Sequence, residues 1–178
     1  MKRKSTKKDR RATLRRLLVP VDFSESSAHA LRHAVELAAE SGGSLVIVHV
    51  VPADYGWLGI GRDQSRDLDR SLQRQAADRL RTFADENVGH NVAADLEIRV
   101  GRPAEEIVAA GTESRCDAIV LSTRGVTGLD RYFIGSVADR VARLALYPVF
   151  LIPPERPAVA RGPMSPPVLR LKHSKGCR

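Results

Sequence analysis

The residues best equipped for chemistry run from Ser122 to Val137. An apolar run, Ala118-Ile119-Val120-Leu121, breaks into Ser122-Thr123-Arg124-Gly125-Val126-Thr127-Gly128, and nine residues beyond Gly125 the pair Gly135-Ser136 opens a helical pattern through Val137. Glycine permits positive φ and close approach of a ligand to the backbone, and a helix start offers free N–H groups with partial positive charge. That combination builds a phosphate cradle. Gly135, Ser136 and Val137 would present amides, the Ser136 hydroxyl would add a donor, and Arg124 would supply a fixed guanidinium fork. The other reading of Arg124 is an exposed loop charge.

A second chemical cluster ends the first apolar run, at Pro20-Val21-Asp22-Phe23-Ser24. If the two runs are neighbours, Asp22 faces the glycine loop across a crevice. There its carboxylate could take hydrogen bonds from ribose hydroxyls or hold a divalent cation. It could equally be a helix-cap acid favoured by the dipole. Ser24 has no evident base partner and reads as an N-cap rather than a nucleophile.

The elements that must position these residues alternate regularly. Apolar strands are expected at Leu17–Val21, Leu45–Val51, Ala94–Val100 (alternating), Asp117–Leu121 and Val149–Ile152. Helices are expected over Glu25–Glu40, Asp63–Glu86, from Pro103 onward and over Ser136–Ala145. Gly42-Gly43 stops the first helix, and Pro103 suits a first helical position, where its missing N–H costs nothing. Strand–helix alternation with short loops predicts an α/β chain with one doubly wound parallel sheet. In such sheets ligands lie at the carboxyl ends of strands where the strand order reverses.

A chain of 178 residues is long enough for one domain with a substantial core. Its net charge of +8 is unevenly spread: residues 1–16 carry +8, residues 153–178 carry +5, and the middle carries −5. The expected organisation is a basic tail over residues 1–13, a folded domain over 14–153 and a basic tail rich in proline over 154–178. Neither tail has a foldable pattern. They could hold nucleic acid by counterion release, or serve as solubilising extensions; no aromatic or glycine interleaving accompanies the charge. No apolar run is long enough to span a bilayer and no signal-type segment opens the chain, so a cytoplasmic protein is expected. Cys116 and Cys177 make neither a metal spacing nor a probable bridge, in keeping with a reducing compartment.

Other features carry less. Gly56-Trp57-Leu58-Gly59-Ile60-Gly61 reverses the spacing of a dinucleotide loop and reads as a lid or contact loop; there is no G-K-[ST] triplet. His49, inside an apolar strand, reads as a satisfied core histidine rather than a catalytic one. His29 and His33, four apart, read as an exposed helix face, because no third metal ligand is visible.

Taken together, Leu18-Val19-Pro20-Val21-Asp22-Phe23-Ser24-Glu25, Val46-Ile47-Val48-His49-Val50, Gly101-Arg102-Pro103, Ser122 through Val137 and Pro148-Val149-Phe150-Leu151-Ile152-Pro153 resemble the universal stress protein family over Leu14 to Pro153. That family's ATP signature is glycine, two residues, glycine, nine residues, then glycine with serine or threonine. Gly125, Gly135 and Ser136 match it, and Ser122 stands where the first glycine would be. The resemblance implies a five-stranded parallel sheet of order 3-2-1-4-5 with ATP at its switch point, with or without Mg2+ or Mn2+. By position, Pro20, Val21 and Asp22 would lie against ribose and adenine, and Val50 would offer backbone contacts to the adenine edge. Ser122, Thr123, Arg124, Gly125, Gly135, Ser136 and Val137 would hold the phosphates.

Arg124 also stands where many relatives have histidine. The family's habit of pairing through the fifth strand implies a homodimer through Val149–Ile152, an apolar edge that needs covering. No general base is evident, so the expected function is an ATP-binding stress or signalling module with little or no hydrolysis. The alternative is a dimeric scaffold with a vestigial nucleotide site whose basic tails contact nucleic acid; an ATP-hydrolysing enzyme ranks third.

Overall fold

The computed structural model describes residues 14–52, 62–123 and 134–155. The segments holding Arg124 and Gly125, the Gly56–Gly61 loop, the basic tail over 1–13, residues 156–178 of the other tail and, with them, Cys177 lie outside the described residues.

Among the described residues nine elements follow one another: β1 (Arg16–Pro20), α1 (Glu25–Ser41), β2 (Ser44–Pro52), α2 (Arg62–Asn87), β3 (Ala93–Gly101), α3 (Pro103–Glu113), β4 (Ala118–Ser122), α4 (Ser136–Leu144) and β5 (Val149–Ile152). The strands form one sheet of order β3-β2-β1-β4-β5, and every neighbouring pair is parallel. The chain steps outward from β1 to β3, then returns to the other side of β1 with β4. The order therefore reverses between β1 and β4.

Alternation along the strands divides two cores. Leu17, Val19, Leu45, Ile47, Ala118 and Val120 pack with Leu31, Ala34 and Ala38 of α1 and Leu80 and Ala84 of α2. The intervening Leu18, Val46, Val48, Ile119 and Leu121 pack with Ile107 and Ala110 of α3 and Ala138 and Val141 of α4. Both faces are covered, which is why β1, β2 and β4 read as continuous apolar runs. Each Leu, Ile or Val buried in this way contributes about 1.5–3 kcal/mol over leaving it in water.

Local signals set the element ends. Ser24 caps α1, its Oγ accepting the Ser27 N–H at 3.2 Å. Gly42 ends α1 in the left-handed conformation at φ 62°, which glycine adopts without a Cβ penalty. Pro103 takes the first helical position of α3.

One sequence expectation needs correction: the third strand does not alternate. The first four residues of β3 are exposed and the remainder half-buried; among the described residues this edge strand pairs only with β2. Its far half is pinned by Arg99, which bonds Glu97 at 2.7 Å, Glu106 at 3.3 Å and Glu113. These carboxylates raise the Arg99 pKa still further, Glu113 foremost.

Candidate functional site: the crevice between β1 and β4

A cavity of about 530 Å³ opens at the carboxyl ends of β1, β2 and β4, within the range usual for small-molecule sites. Its walls include Pro20 at the end of β1 with Val21 and Asp22 after it, Val50 on β2, Ser122 and Thr123 at the end of β4, and Gly135, Ser136 and Val137 at the start of α4. All nine were singled out by the sequence; Arg124 and Gly125, from the same set, lie outside the described residues.

The β1 side is organised around Asp22. Its Oδ1 accepts both the backbone N–H of Ser24 at 3.1 Å and the Ser24 hydroxyl at 2.5 Å, while Ser24 in turn caps α1. Asp22 therefore supports the helix start and lines the cavity at once; the two readings of it are compatible. Phe23 follows at φ 63°, an uncommon conformation for a bulky residue and one that clusters at functional turns. Three groups surround it: the His49 ring at 4.2 Å, the Phe83 ring edge-on at 5.6 Å, and the Arg79 guanidinium 4.3 Å from its centroid.

Val50 is placed by strand parity. β1 ends with Pro20 opposite Val48, and the Val21 N–H still bonds the Val48 carbonyl at 2.9 Å. Successive residues of a strand direct their polar groups to opposite sides. Val50 therefore directs its N–H and C=O the same way as Val48, but past the end of β1 and into the crevice.

Across the cavity, the N-cap of α4 is Gly135, which has no side chain with which to cap the helix. The first return bond is the Asp139 N–H to the Gly135 carbonyl at 2.9 Å, so the amides of Ser136, Val137 and Ala138 precede any helical acceptor. Gly135 has φ −58° and ψ 148°. Positive φ is therefore not the reason for glycine there, and closeness of approach is the remaining advantage. The Gly135 N–H bonds the Thr123 carbonyl at 2.8 Å, and the Thr123 N–H bonds the Ile152 carbonyl at 2.9 Å. These two bonds fasten the start of α4 to β4, and β4 to β5.

Sequence reasoning missed other walls. Ser27, Val48, His49, Pro103, Ile107 and Leu121 also line the cavity. His49 is satisfied as expected, Nδ1 lying 2.8 Å from the Val21 carbonyl. It is a half-buried lining residue, however, rather than a core one. Burial pushes its pKa below the ordinary 6.5, a shift that the Val21 carbonyl opposes. Pro103 and Ile107 arrive because the tight turn at Gly101-Arg102 brings the start of α3 beside α4; pairing of α3 with α4 was not readable from local pattern. A smaller recess continues from Pro103, Ser136 and Val137 to Arg102, Glu105 and Arg140, where Arg140 bonds Glu105 at 2.6 Å.

Residues 13–153 match the model of the universal stress protein family. The chain belongs to that family. Universal stress protein MJ0531 of Methanocaldococcus jannaschii is 31% identical over 142 residues, covering 78% of this chain and 81% of its own. Among solved structures, protein MJ0577 of the same archaeon superposes with a TM-score of 0.72 at 23% identity, over 82% of this chain and 99% of that one. A universal stress protein from Archaeoglobus fulgidus in complex with dAMP superposes at 0.50 and 24% identity, over 79% of this chain and 98% of that one. The five-stranded sheet of order 3-2-1-4-5 is the universal stress protein architecture, as the resemblance implied.

Proposed function

We propose that this universal stress protein binds an adenine nucleotide, ATP, in the crevice between β1 and β4, and signals through occupancy rather than turnover. The observation that carries this reading is the convergence of two unlike surfaces on one cavity. One is an apolar slot with the polar edge of Val50 and the Asp22 carboxylate; the other is the glycine-capped first turn of α4 with the Ser136 hydroxyl. A planar apolar base with hydrogen-bonding edges suits the first surface, and phosphate suits the second. In this reading Pro20, Val21 and Asp22 contact ribose and base. Ser122, Thr123, Arg124, Gly125, Gly135, Ser136 and Val137 hold the phosphates. The dAMP held by the Archaeoglobus relative is support from the same fold. Should a divalent ion accompany the nucleotide, Mg2+ or Mn2+ with its preference for oxygen ligands, Asp22 is the carboxylate among the described lining residues that fits it.

Binding without turnover is favoured by how the titratable lining groups are committed. The Asp22 Oδ1 is shared by two donors from Ser24, and His49 Nδ1 is held on the Val21 carbonyl. Phosphoryl transfer needs positioned groups for the nucleophile beyond a cradle.

The output surface is proposed to be a homodimer through β5. Among the described residues that strand pairs only with β4, and Phe150 is 37% and Leu146 97% exposed beside it. An apolar edge of this kind is stabilised by pairing with a second copy. A cytoplasmic setting fits the absence, among the described residues, of any helix long and apolar enough to cross a membrane. Contact of the basic tails with nucleic acid stays the second reading; comparing DNA affinity of the full chain and a tail-less chain across salt tests it.

The experiment for the main reading is to denature the purified full-length protein, assay the supernatant for nucleotide, and titrate ATP into the stripped protein. Stoichiometric or saturable ATP supports it. An empty protein that also fails to bind added ATP overturns it.

A further inference from the structure

A second cluster lies outside the crevice, on α1. His29 and His33 stand one turn apart with their rings edge to face, centroids 4.6 Å apart and Nε2 atoms 3.2 Å apart. Their side chains are 19% and 44% exposed, so the expected exposed helix face is half-buried, and His29 lies beside Glu155 of the segment leaving β5. Each outer nitrogen has a carboxylate within ion-pair reach. His29 Nδ1 lies 4.0 Å from Glu155, and His33 Nδ1 lies 3.6 Å from Glu36.

That arrangement constrains the protons. A neutral imidazole carries one N–H, and a carboxylate beside Nδ1 favours the proton there, leaving Nε2 as a lone pair. The two Nε2 atoms lie 3.2 Å apart: without an ion one imidazole carries its proton on Nε2 and donates to the other, and with both protons on Nδ1 the two lone pairs converge as a chelating pair. A tetrahedral ion with Zn–N bonds of about 2.0–2.1 Å spans nitrogens about 3.3–3.4 Å apart. Carboxylates behind ligating imidazoles are also the usual way of fixing tautomer and orientation in zinc sites.

We infer that His29 and His33 form a two-imidazole site for a divalent ion of the zinc class, oriented by Glu155 and Glu36. Imidazole selects Zn2+, Cu2+ and Ni2+ over Mg2+ or Ca2+. Among the described residues no group of three or more metal-ligating side chains gathers anywhere, so on a bound ion water would fill the coordination positions that the two imidazoles leave open. Because Glu155 follows β5, a bound ion couples α1 to the exit of the edge strand. The inference is independent of the nucleotide reading.

The test is calorimetric titration of Zn2+ into the chelator-treated, nucleotide-free full chain, with His29→Gln, His33→Gln, Glu36→Gln and, because the chain has five histidines, His90→Gln. Either ligand substitution is expected to weaken uptake by about 100-fold or more, Glu36→Gln by about 10-fold, and His90→Gln not at all. Equal uptake by wild type and the His29→Gln/His33→Gln pair overturns the site, as does no uptake by wild type. Should the histidine variants fail to fold, Cu2+ electron paramagnetic resonance of the wild type decides: two imidazole nitrogens on one ion support the site, and one or none contradicts it.

Discussion

The Gly135 N–H donates to the Thr123 carbonyl at 2.8 Å. This backbone bond joins the end of β4 to the start of α4, the two walls of the crevice on that side. Gly135 has φ −58°, a value that alanine and proline both adopt. Gly135→Ala is therefore expected to fold like wild type, with any loss confined to ATP affinity through the added methyl. Gly135→Pro keeps the dihedral and deletes the donor, and is expected to cost about 1 kcal/mol of stability as well. Denaturant melts alongside ATP titrations of the two variants separate these effects.

Asp22 offers a similar separation between structure and binding. Its Oδ1 accepts from Ser24 at two atoms, and asparagine retains an oxygen there. Asp22→Asn should keep the melting temperature of the free protein close to wild type while altering nucleotide or divalent-ion affinity. Asp22→Ala removes the acceptor and should lose about 1 kcal/mol, comparable to the loss of a helix cap. Equal stability losses in both variants would contradict the division of roles.

His49 predicts a pH dependence. Burial depresses its pKa below 6.5 in the folded protein, so the unfolded chain binds the proton more readily and stability rises with pH in that window. The contribution is complete above about pH 6.5 and is lost as pH falls through the lower folded pKa. His49→Asn, whose amide can still donate to the Val21 carbonyl, should flatten the stability profile between pH 7 and 5 relative to wild type. Parallel profiles would show that His49 does not carry the effect.

The C-terminal half of α3 packs tightly against the segment joining α4 to β5. A Cβ on Gly111 would lie 2.0 Å from the Tyr147 hydroxyl, which donates to the Val108 carbonyl at 2.9 Å. Gly111→Ala is expected to cost about 1–3 kcal/mol by overpacking. Adding Tyr147→Phe should recover part of that loss, as read from urea midpoints.

Much of this was legible in the sequence for definable reasons. Strands buried on both faces leave uninterrupted apolar runs, so Leu17–Val19 and Leu45–Val48 declared a covered parallel sheet. Ser24, Gly42 and Pro103 marked helix ends through their own backbone preferences. Asp22, Ser122 and Ser136 were found because they interrupt apolar periodicity at strand or helix ends. Pro103, Ile107 and His49 were not, since each belongs to a regular element and reaches the cavity only through packing of α3 beside α4 or β2 beside β1. The conformation of Phe23 was equally hidden: nothing in its residue type announces φ 63°.

The central claim, that the β1–β4 crevice holds ATP by the Val50 edge and the first turn of α4, is tested most directly by amide NMR. ATP is titrated into the full-length protein and into Ser136→Asp, whose added carboxylate favours the helix start but repels phosphate. The account predicts saturable shifts of the Val50, Ser136, Val137 and Ala138 amides in wild type, abolished or strongly weakened in the variant. Shifts absent from these amides, or unchanged by Ser136→Asp, would contradict it.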